Sequence, residues 1–294
     1  MRRGQRERVD VTVIGHLDKT IIVRGDQRTI SPGGAVYYGG LVLAWLGLRV
    51  AVVTRLAVGD AGLLHDFRRV GAAVYPIFTN ETTSIENVLD SRSDKRTCYQ
   101  RAFAGTFQPE DLPPVEARLQ YVGTVSAGEV DLHFLRAVAS RGPMALDVQG
   151  CLRKVRRGEL VTADWPEADQ VLPMVRYLKV DDREAFALTG RPDRREAARE
   201  LAQAGPTEVV LTSQEGVLVL ADGEFHEAPF RPRSTEGRTG RGDTCFAAYL
   251  GRRLVGDDPS SATKFAAAVT TLKLERPGPF RGSWEEVRLL MEQA

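Results

Sequence analysis

The sequence predicts an α/β fold built on a mainly parallel sheet, with a small β lid beside it. Short apolar runs rich in β-branched residues alternate with segments of helical period, the pattern of parallel strands joined by crossover helices. Most of those runs lack the in–out alternation of a half-exposed strand, as strands covered on both faces should. Two segments differ from the rest, Lys19 to Ile30 and Thr82 to Arg101, where threonines, aromatics and charges alternate without a helical stripe.

Taken in order, the first strand is expected over Val11 to Ile14, followed by the first lid segment. A helix over Tyr38 to Leu46 closes at Gly47, a strand spans Val50 to Thr54, and a helix over Gly62 to Val70 closes at Gly71. Beyond the second lid segment, strands at Tyr121 to Val125 and Met144 to Val148 flank a helix over Leu132 to Ala139. Next come a strand at Tyr177 to Val180, a helix from Arg194 to Gln203 closed by Gly205, and strands at Glu208 to Thr212 and Val217 to Ala221. Helices over Thr244 to Leu254, Ser260 to Thr271 and Ser283 to Glu292 complete the chain. Ser260 and Ser283 stand where they can cap the last two, and Glu286 completes a capping box with Ser283. The two lid segments share a character and are expected to pair as exposed antiparallel strands. With no repeat or long linker in view, residues 1–294 read as one domain carrying lid segments at about 19–30 and 82–101.

Composition narrows the function classes. A chain of 294 residues, 43% hydrophobic and 27% charged, is long enough to bury roughly three quarters of its unfolded surface, which excludes disorder and fibrous architectures. Forty basic against thirty-nine acidic side chains leave a net charge of +1, so no nucleic-acid partner is expected. The apolar stretch from Ala35 is about fourteen residues, short of the ~20 that span a bilayer, and no membrane partner is expected. The apolar run after the N-terminal arginines is too short for a signal peptide, and Cys98, Cys151 and Cys245 form no disulfide framework. A cytoplasmic location is the expectation.

The most informative stretch is Gly237-Arg238-Thr239-Gly240-Arg241-Gly242-Asp243-Thr244, which opens a helical run. Closely spaced glycines let successive amides converge at a helix start, where the dipole adds positive partial charge, and this makes an anion cradle. A carboxylate directly after such a cradle repels a merely bound phosphate, but it suits a base that takes the proton of an attacking hydroxyl while the amides hold the moving phosphoryl group. On the loop alone, that reading and an ordinary turn with an acidic first-turn residue stand equal. Neither the dinucleotide fingerprint nor the Walker loop is present, the Arg-Gly-Asp tripeptide does not suit a cytosolic chain as an adhesion motif, and the scattered histidines give no zinc spacing. Cys245 near the helix start is a weaker candidate nucleophile than Asp243.

The chain resembles the ribokinase-like (PfkB) carbohydrate kinases. Gly240, Gly242 and Asp243 fall on the last glycines and the aspartate of their C-terminal signature, Asp-Thr-x-Gly-Ala-Gly-Asp. Gly33-Gly34 and the run from Tyr38 to Gly47 fit their Gly-Gly loop and first long helix, and Asp181-Asp182-Arg183-Glu184 stands like their Asn-x-x-Glu element. Gly278-Pro279-Phe280 is similar to a segment of some members, so the resemblance runs from Val11 to about Phe280. The form Gly33-Gly34-Ala35-Val36-Tyr37-Tyr38 looks most like the branch that includes myo-inositol kinases.

The resemblance implies about eight to ten strands with helices on both faces, and ligands at the carboxyl ends of the strands. It implies transfer of the γ-phosphoryl group of ATP, with Mg²⁺, to a hydroxyl of a sugar or polyol. Asp243 would be the base, and Gly240, Arg241 and Gly242 would surround the moving charge. Thr212, Glu184, Thr239 and Ala268 would border the nucleotide, Ala268 within a small-residue run beside the adenine, and Glu184 would organise the metal through water. Asp18, Gly33, Gly34, Tyr38, Glu129, Asp147 and Gln149 would line the acceptor pocket.

Several positions depart from the family pattern. Gly237, Arg238 and Arg241 replace the first aspartate, the threonine and the alanine of the signature. Thr20 stands where sugar kinases carry an aspartate, with Asp18 two residues earlier, and Tyr38 where an asparagine often meets the sugar. Two alternatives follow: a nucleoside kinase, with Tyr37, Tyr38 and Phe103 as stacking groups, and a nucleotide-binding regulator without catalysis. A homodimer through the lid edges completes the expectations.

Overall fold

The computed structural model describes residues 7–89 and 96–292, so residues 90–95 of the second lid segment lie outside the described residues. The chain runs β1 (Glu7–Ile14), β2 (Asp18–Arg24), β3 (Gln27–Gly33), α1 (Ala35–Trp45), β4 (Val50–Ala57), α2 (His65–Arg69), β5 (Ala73–Thr79), β6 (Ser84–Leu89), β7 (Arg96–Ala102) and β8 (Val115–Gly123). It continues through α3 (Leu132–Ala139), β9 (Met144–Asp147), β10 (Arg153–Arg156), β11 (Glu159–Thr162), α4 (Ala168–Val171), β12 (Val175–Asp181), α5 (Asp182–Thr189) and α6 (Arg194–Gln203). Strands β13 (Glu208–Thr212), β14 (Gly216–Ala221) and β15 (Glu224–Pro229) precede helices α7 (Arg241–Val255), α8 (Pro259–Leu274) and α9 (Trp284–Glu292).

Nine strands form the central sheet in the order β15-β14-β13-β12-β9-β8-β1-β4-β5. Every pairing from β13 to β5 is parallel, and only the β13–β14 and β14–β15 pairings are antiparallel, so β14 alone runs against the rest. The middle strands are covered on both faces, which is why their sequences read as unbroken apolar runs. Helices α1, α7 and α8 pack over one face around Val11, Val13, Tyr38 and Phe246. Helices α3, α5 and α6 cover the other around Ile14, Phe134, Leu146 and Leu178. This is the ribokinase-like α/β arrangement, with the strands' carboxyl ends gathered on one rim.

The expected strands and most of the helices are present, with shifted ends. Helix α1 begins at Ala35, ahead of Tyr38, because Gly34 is its N-cap. The stretch Gly62 to Val70 is a 3₁₀ turn over Val58–Leu64 followed by the short α2. Asp258 caps α8 by accepting from Ser261 N, and Pro259 takes the first helical position, so Ser260 is not the cap. Ser283 and Glu286 do form their reciprocal pair. The two sheet-edge strands β5 and β15 escape the sequence pattern. Pro76 sits inside β5, and an edge strand tolerates proline because one side of it needs no ladder.

The lid is a second sheet of six strands in the order β10-β11-β7-β6-β2-β3. Its two expected segments each form an antiparallel hairpin, but they meet through β2 and β6, which run parallel rather than antiparallel. The hairpin β10–β11, unforeseen from sequence, extends the lid through a Tyr99–Glu159 pairing.

Candidate active site

Helix α7 begins at the end of the 237–240 loop, with Gly240 as its N-cap in the left-handed conformation (φ +78°). A side chain there would overlap the Tyr38 ring, so the position demands glycine twice over, by dihedral and by contact. The first-turn amides have no intrahelical partner. Arg241 N donates to Arg238 O at 3.3 Å, while the amides of Gly242 and Asp243 are left by the helix geometry for a ligand. Asp243 is half-buried in this first turn, and loss of surrounding water pushes its carboxyl above the ordinary carboxylate range, with Lys179 pulling the other way.

A cavity of about 180 Å³ opens at this point. Its walls include Gly240, Arg241, Gly242, Asp243 and Thr239 from the loop and helix, Thr212 at the end of β13, and Lys179 and Asp181 from β12. Asp18, Thr20, Gly34, Tyr38, Gln149 and Arg153 line it as well. Ile85, Asn87, Arg96 and Cys98 hang from the lid, with Cys98 Sγ donating to Asn87 Oδ1 at 3.2 Å.

Asp18 is 2% exposed and accepts a hydrogen bond from Thr20 Oγ1 at 2.5 Å. Burial raises its carboxyl to about 7, against the pull of that hydroxyl. Gly33 and Gly34 pass closely over Asp18 and Thr20, where a side chain on Gly33 would collide with both. Asp18 and Thr20 thus line the cavity side by side, Thr20 at the position where family members usually carry an aspartate.

Five candidate residues do not line this cavity: Gly33, packed against Thr20 and Asp18, and the four that follow. Glu129 is 1% exposed, and its carboxylate accepts from the amides of His16, Val125 and Ser126 at 3.0, 2.8 and 2.6 Å, so most of its capacity is taken by backbone. It borders a separate pocket beside Cys151 and Trp165. Asp147 accepts from Lys179 Nζ at 3.0 and 3.1 Å and from Gln149 N at 3.0 Å. Glu184 closes a capping box on α5: Asp181 N donates to Glu184 Oε2 at 2.7 Å, and the Glu184 amide donates to Asp181 Oδ1 at 2.8 Å. Ala268 is packed inside α8 at 6% exposure.

Lys179 is a lining residue that motif reasoning left out. Lys179 carried a signal, a lysine within a strand that must be buried on both faces. Burial alone would discharge it, but Asp147 and Glu184 outweigh that and hold it above its ordinary value. His16, next to the first strand, has no free nitrogen. Its Nε2 donates to Gly105 O at 2.9 Å, so its Nδ1 accepts from Thr83 Oγ1 at 2.7 Å, and burial drives it down to about 3, keeping it neutral. Burial pushes the Cys245 thiol up to about 12, which makes it a poor nucleophile.

A half-buried carboxylate at a helix start, beside open amides and a cavity at the rim of a parallel sheet, defines a phosphoryl-transfer site of the sugar-kinase type. The family model for the pfkB family of carbohydrate kinases matches residues 9–286, and the chain belongs to that family. It is a phosphotransferase with an alcohol group as acceptor. A pyrophosphate-dependent kinase of the ribokinase family, solved as a sulfate complex, is 36% identical with a TM-score of 0.88, covering 95% of this chain and 99% of that one. A pyrophosphate-dependent kinase of the same family, complexed with a pyrophosphate analog and myo-inositol, is 35% identical with a TM-score of 0.88 over 95% and 99% of the two chains. The cytidine kinase of Thermococcus kodakarensis is 25% identical over 261 residues, 82% of this chain and 87% of the relative. Among the described residues no helix is long and apolar enough to cross a membrane.

Proposed function

We propose that the protein phosphorylates a hydroxyl of a cyclic polyol of the myo-inositol class, with pyrophosphate as donor. The observation that carries the reading is Asp243, set beside the open first-turn amides of α7 and lining one cavity with Asp18 and Thr20. Asp243 takes the hydroxyl proton, the new bond forms between the acceptor oxygen and phosphorus, and the bridging P–O bond breaks to release orthophosphate. The amides of Gly242 and Asp243 hold the charge that develops on the moving group.

The donor assignment is supported by the two relatives named as pyrophosphate-dependent and by Arg238 and Arg241, guanidiniums in the cradle loop where the family signature has a threonine and an alanine. Ala268, expected beside an adenine, lies outside the cavity, which weakens the case for ATP. Magnesium fits as a cation carried in with the donor. It keeps most of its waters and needs one or two protein carboxylates; Asp181 on the cavity wall would supply one, while Glu184 is already engaged by Asp181 N and Lys179. When bound, it neutralises the donor phosphates.

A polyol is favoured over a nucleoside because the candidate stacking rings are occupied. Tyr37 Oη donates to Asp66 Oδ2 at 2.7 Å, Tyr38 lies against Gly240, and Phe103 packs on His16 at 5.4 Å between ring centres. The reading includes a cytoplasmic location and a homodimer through the free lid edges, where Ile30 of β3 and Val155 of β10 are exposed. The test is ³¹P NMR of the purified protein with pyrophosphate or ATP over a panel of polyols, sugars and nucleosides. A polyol phosphate ester formed from pyrophosphate is the expected product. Turnover with ATP alone overturns the donor, a nucleoside monophosphate overturns the acceptor, and binding without turnover in every mixture leaves a regulator.

A further inference from the structure

Lys179 does more than balance its neighbours. Its ammonium sits 3.0 Å from Asp147 Oδ2 and 3.5 Å from Glu184 Oε2, 3% exposed, at the carboxyl end of β12. It also lines the cavity directly below the cradle. A Cβ built on Gly242 would lie 3.2 Å from Lys179 Cε and 3.4 Å from its Nζ, close enough to cover the ammonium. The backbone of Gly242 is not in the left-handed region, so the glycine is not needed there for its dihedrals. What it leaves is room beside the ammonium at the start of α7, where a side chain would press on Lys179 Cε and Nζ.

We propose that Lys179 is a catalytic residue, a cationic floor that contacts the transferring phosphoryl oxygens through the gap left by Gly242, while Asp147 and Glu184 fix its ammonium from behind. The assignment rests on the phosphoryl-transfer reading above. A positive charge placed beside oxygens that gain charge during transfer acts on the transition state more than on the bound substrates. The ion pairs explain why a lysine endures in a buried strand: one carboxylate on each side keeps it charged and holds it to one position.

The competing role is structural, with Lys179 present only to neutralise two buried carboxylates. Lys179→Met alone does not separate the two, since it leaves both carboxylates unpaired. The double variant Lys179→Met/Asp147→Asn does, because it removes the buried charge together with its main partner. Thermal melting and steady-state kinetics with pyrophosphate and the best polyol are measured against the native protein. The floor role predicts a double variant that melts within a few degrees of native, with kcat lowered by about 10² to 10³, the usual loss of one transition-state donor, and both KM values within about threefold. Recovery of kcat to within about fivefold of native overturns it. If the double variant does not fold, Lys179→Arg replaces it. That change keeps a cation for Asp147 and Glu184 but moves the charge, so the floor role predicts at least a tenfold loss of kcat at near-native melting, and native turnover overturns it. If the native protein transfers no phosphoryl group to any acceptor, the functional reading fails first, which is distinguishable from failure of Lys179 alone.

Discussion

The ring of Tyr38 lies flat against the Cα of Gly240, so that the first long helix of the chain supports the cradle of the seventh. This contact gives a reason for tyrosine where family members often have a sugar-contacting asparagine: its ring backs the anion hole, and Lys273 Nζ lies 5.3 Å from the ring centre on the same support. Gly240→Ala should therefore both strain a left-handed residue and drive a methyl into the ring. We expect turnover to fall by at least about 10²-fold, with destabilisation of about 1–3 kcal/mol, read by kinetics and by thermal melting. A variant with native turnover and native melting temperature would show that the cradle does not depend on this contact.

Asp243 as base gives a sharper kinetic signature. Asp243→Asn should lower kcat by about 10² to 10⁴ while both KM values stay within a few-fold, because an amide keeps the shape but takes no proton. Burial raises the Asp243 carboxyl above its ordinary 3.8, and a base works only when deprotonated. Native turnover should thus fall on acidification already at pH values above the ordinary carboxylate range, and this limb should be missing from the residual activity of the variant. A variant turning over within tenfold of native would remove Asp243 from the chemistry.

Arg241 lines the cavity in the cradle loop with Arg238, and Asp181 shares that lining. Arg241→Ala should raise the KM for pyrophosphate about 10- to 100-fold, the range for losing a charge-assisted hydrogen bond, and leave the acceptor KM unchanged. A silent substitution would put that side chain in solvent.

The parts of this molecule that local sequence encodes were legible, and the parts made by distant contacts were not. The glycine cradle with its aspartate lies within a few consecutive residues, so motif and backbone chemistry found it together. The buried middle strands announced themselves by unbroken apolar runs, whereas β10 and β11 are four residues each and largely polar, with nothing in their spacing to mark them as lid. Glu129 sits at a strand's carboxyl end, where ligand contacts are common, yet its carboxylate is engaged by His16, 113 positions away in sequence, and by two local amides. Lys179 was visible as a lysine in a buried strand, but its purpose depends on Asp147, Glu184 and Gly242, brought from three other segments by the parallel sheet.

Asp18 links the site to stability. Its carboxyl rises from 3.8 to about 7 because the folded chain withholds water from the charged form. A carboxyl raised in this way binds its proton more tightly folded than unfolded. Its contribution is therefore fully present below about pH 4, and it is lost as pH climbs through 7. Asparagine keeps an oxygen to accept from Thr20 Oγ1 and carries no charge to desolvate. Asp18→Asn should accordingly melt at least about 2 °C above the native protein at pH 8, each kcal/mol being worth roughly 2–4 °C in a chain of this size. The gap should close as pH falls toward 4, while the acceptor KM rises at every pH because the wall of the pocket has lost its carboxylate. Parallel melting curves for the two proteins across that range would mean that Asp18 is already hydrated in the folded state.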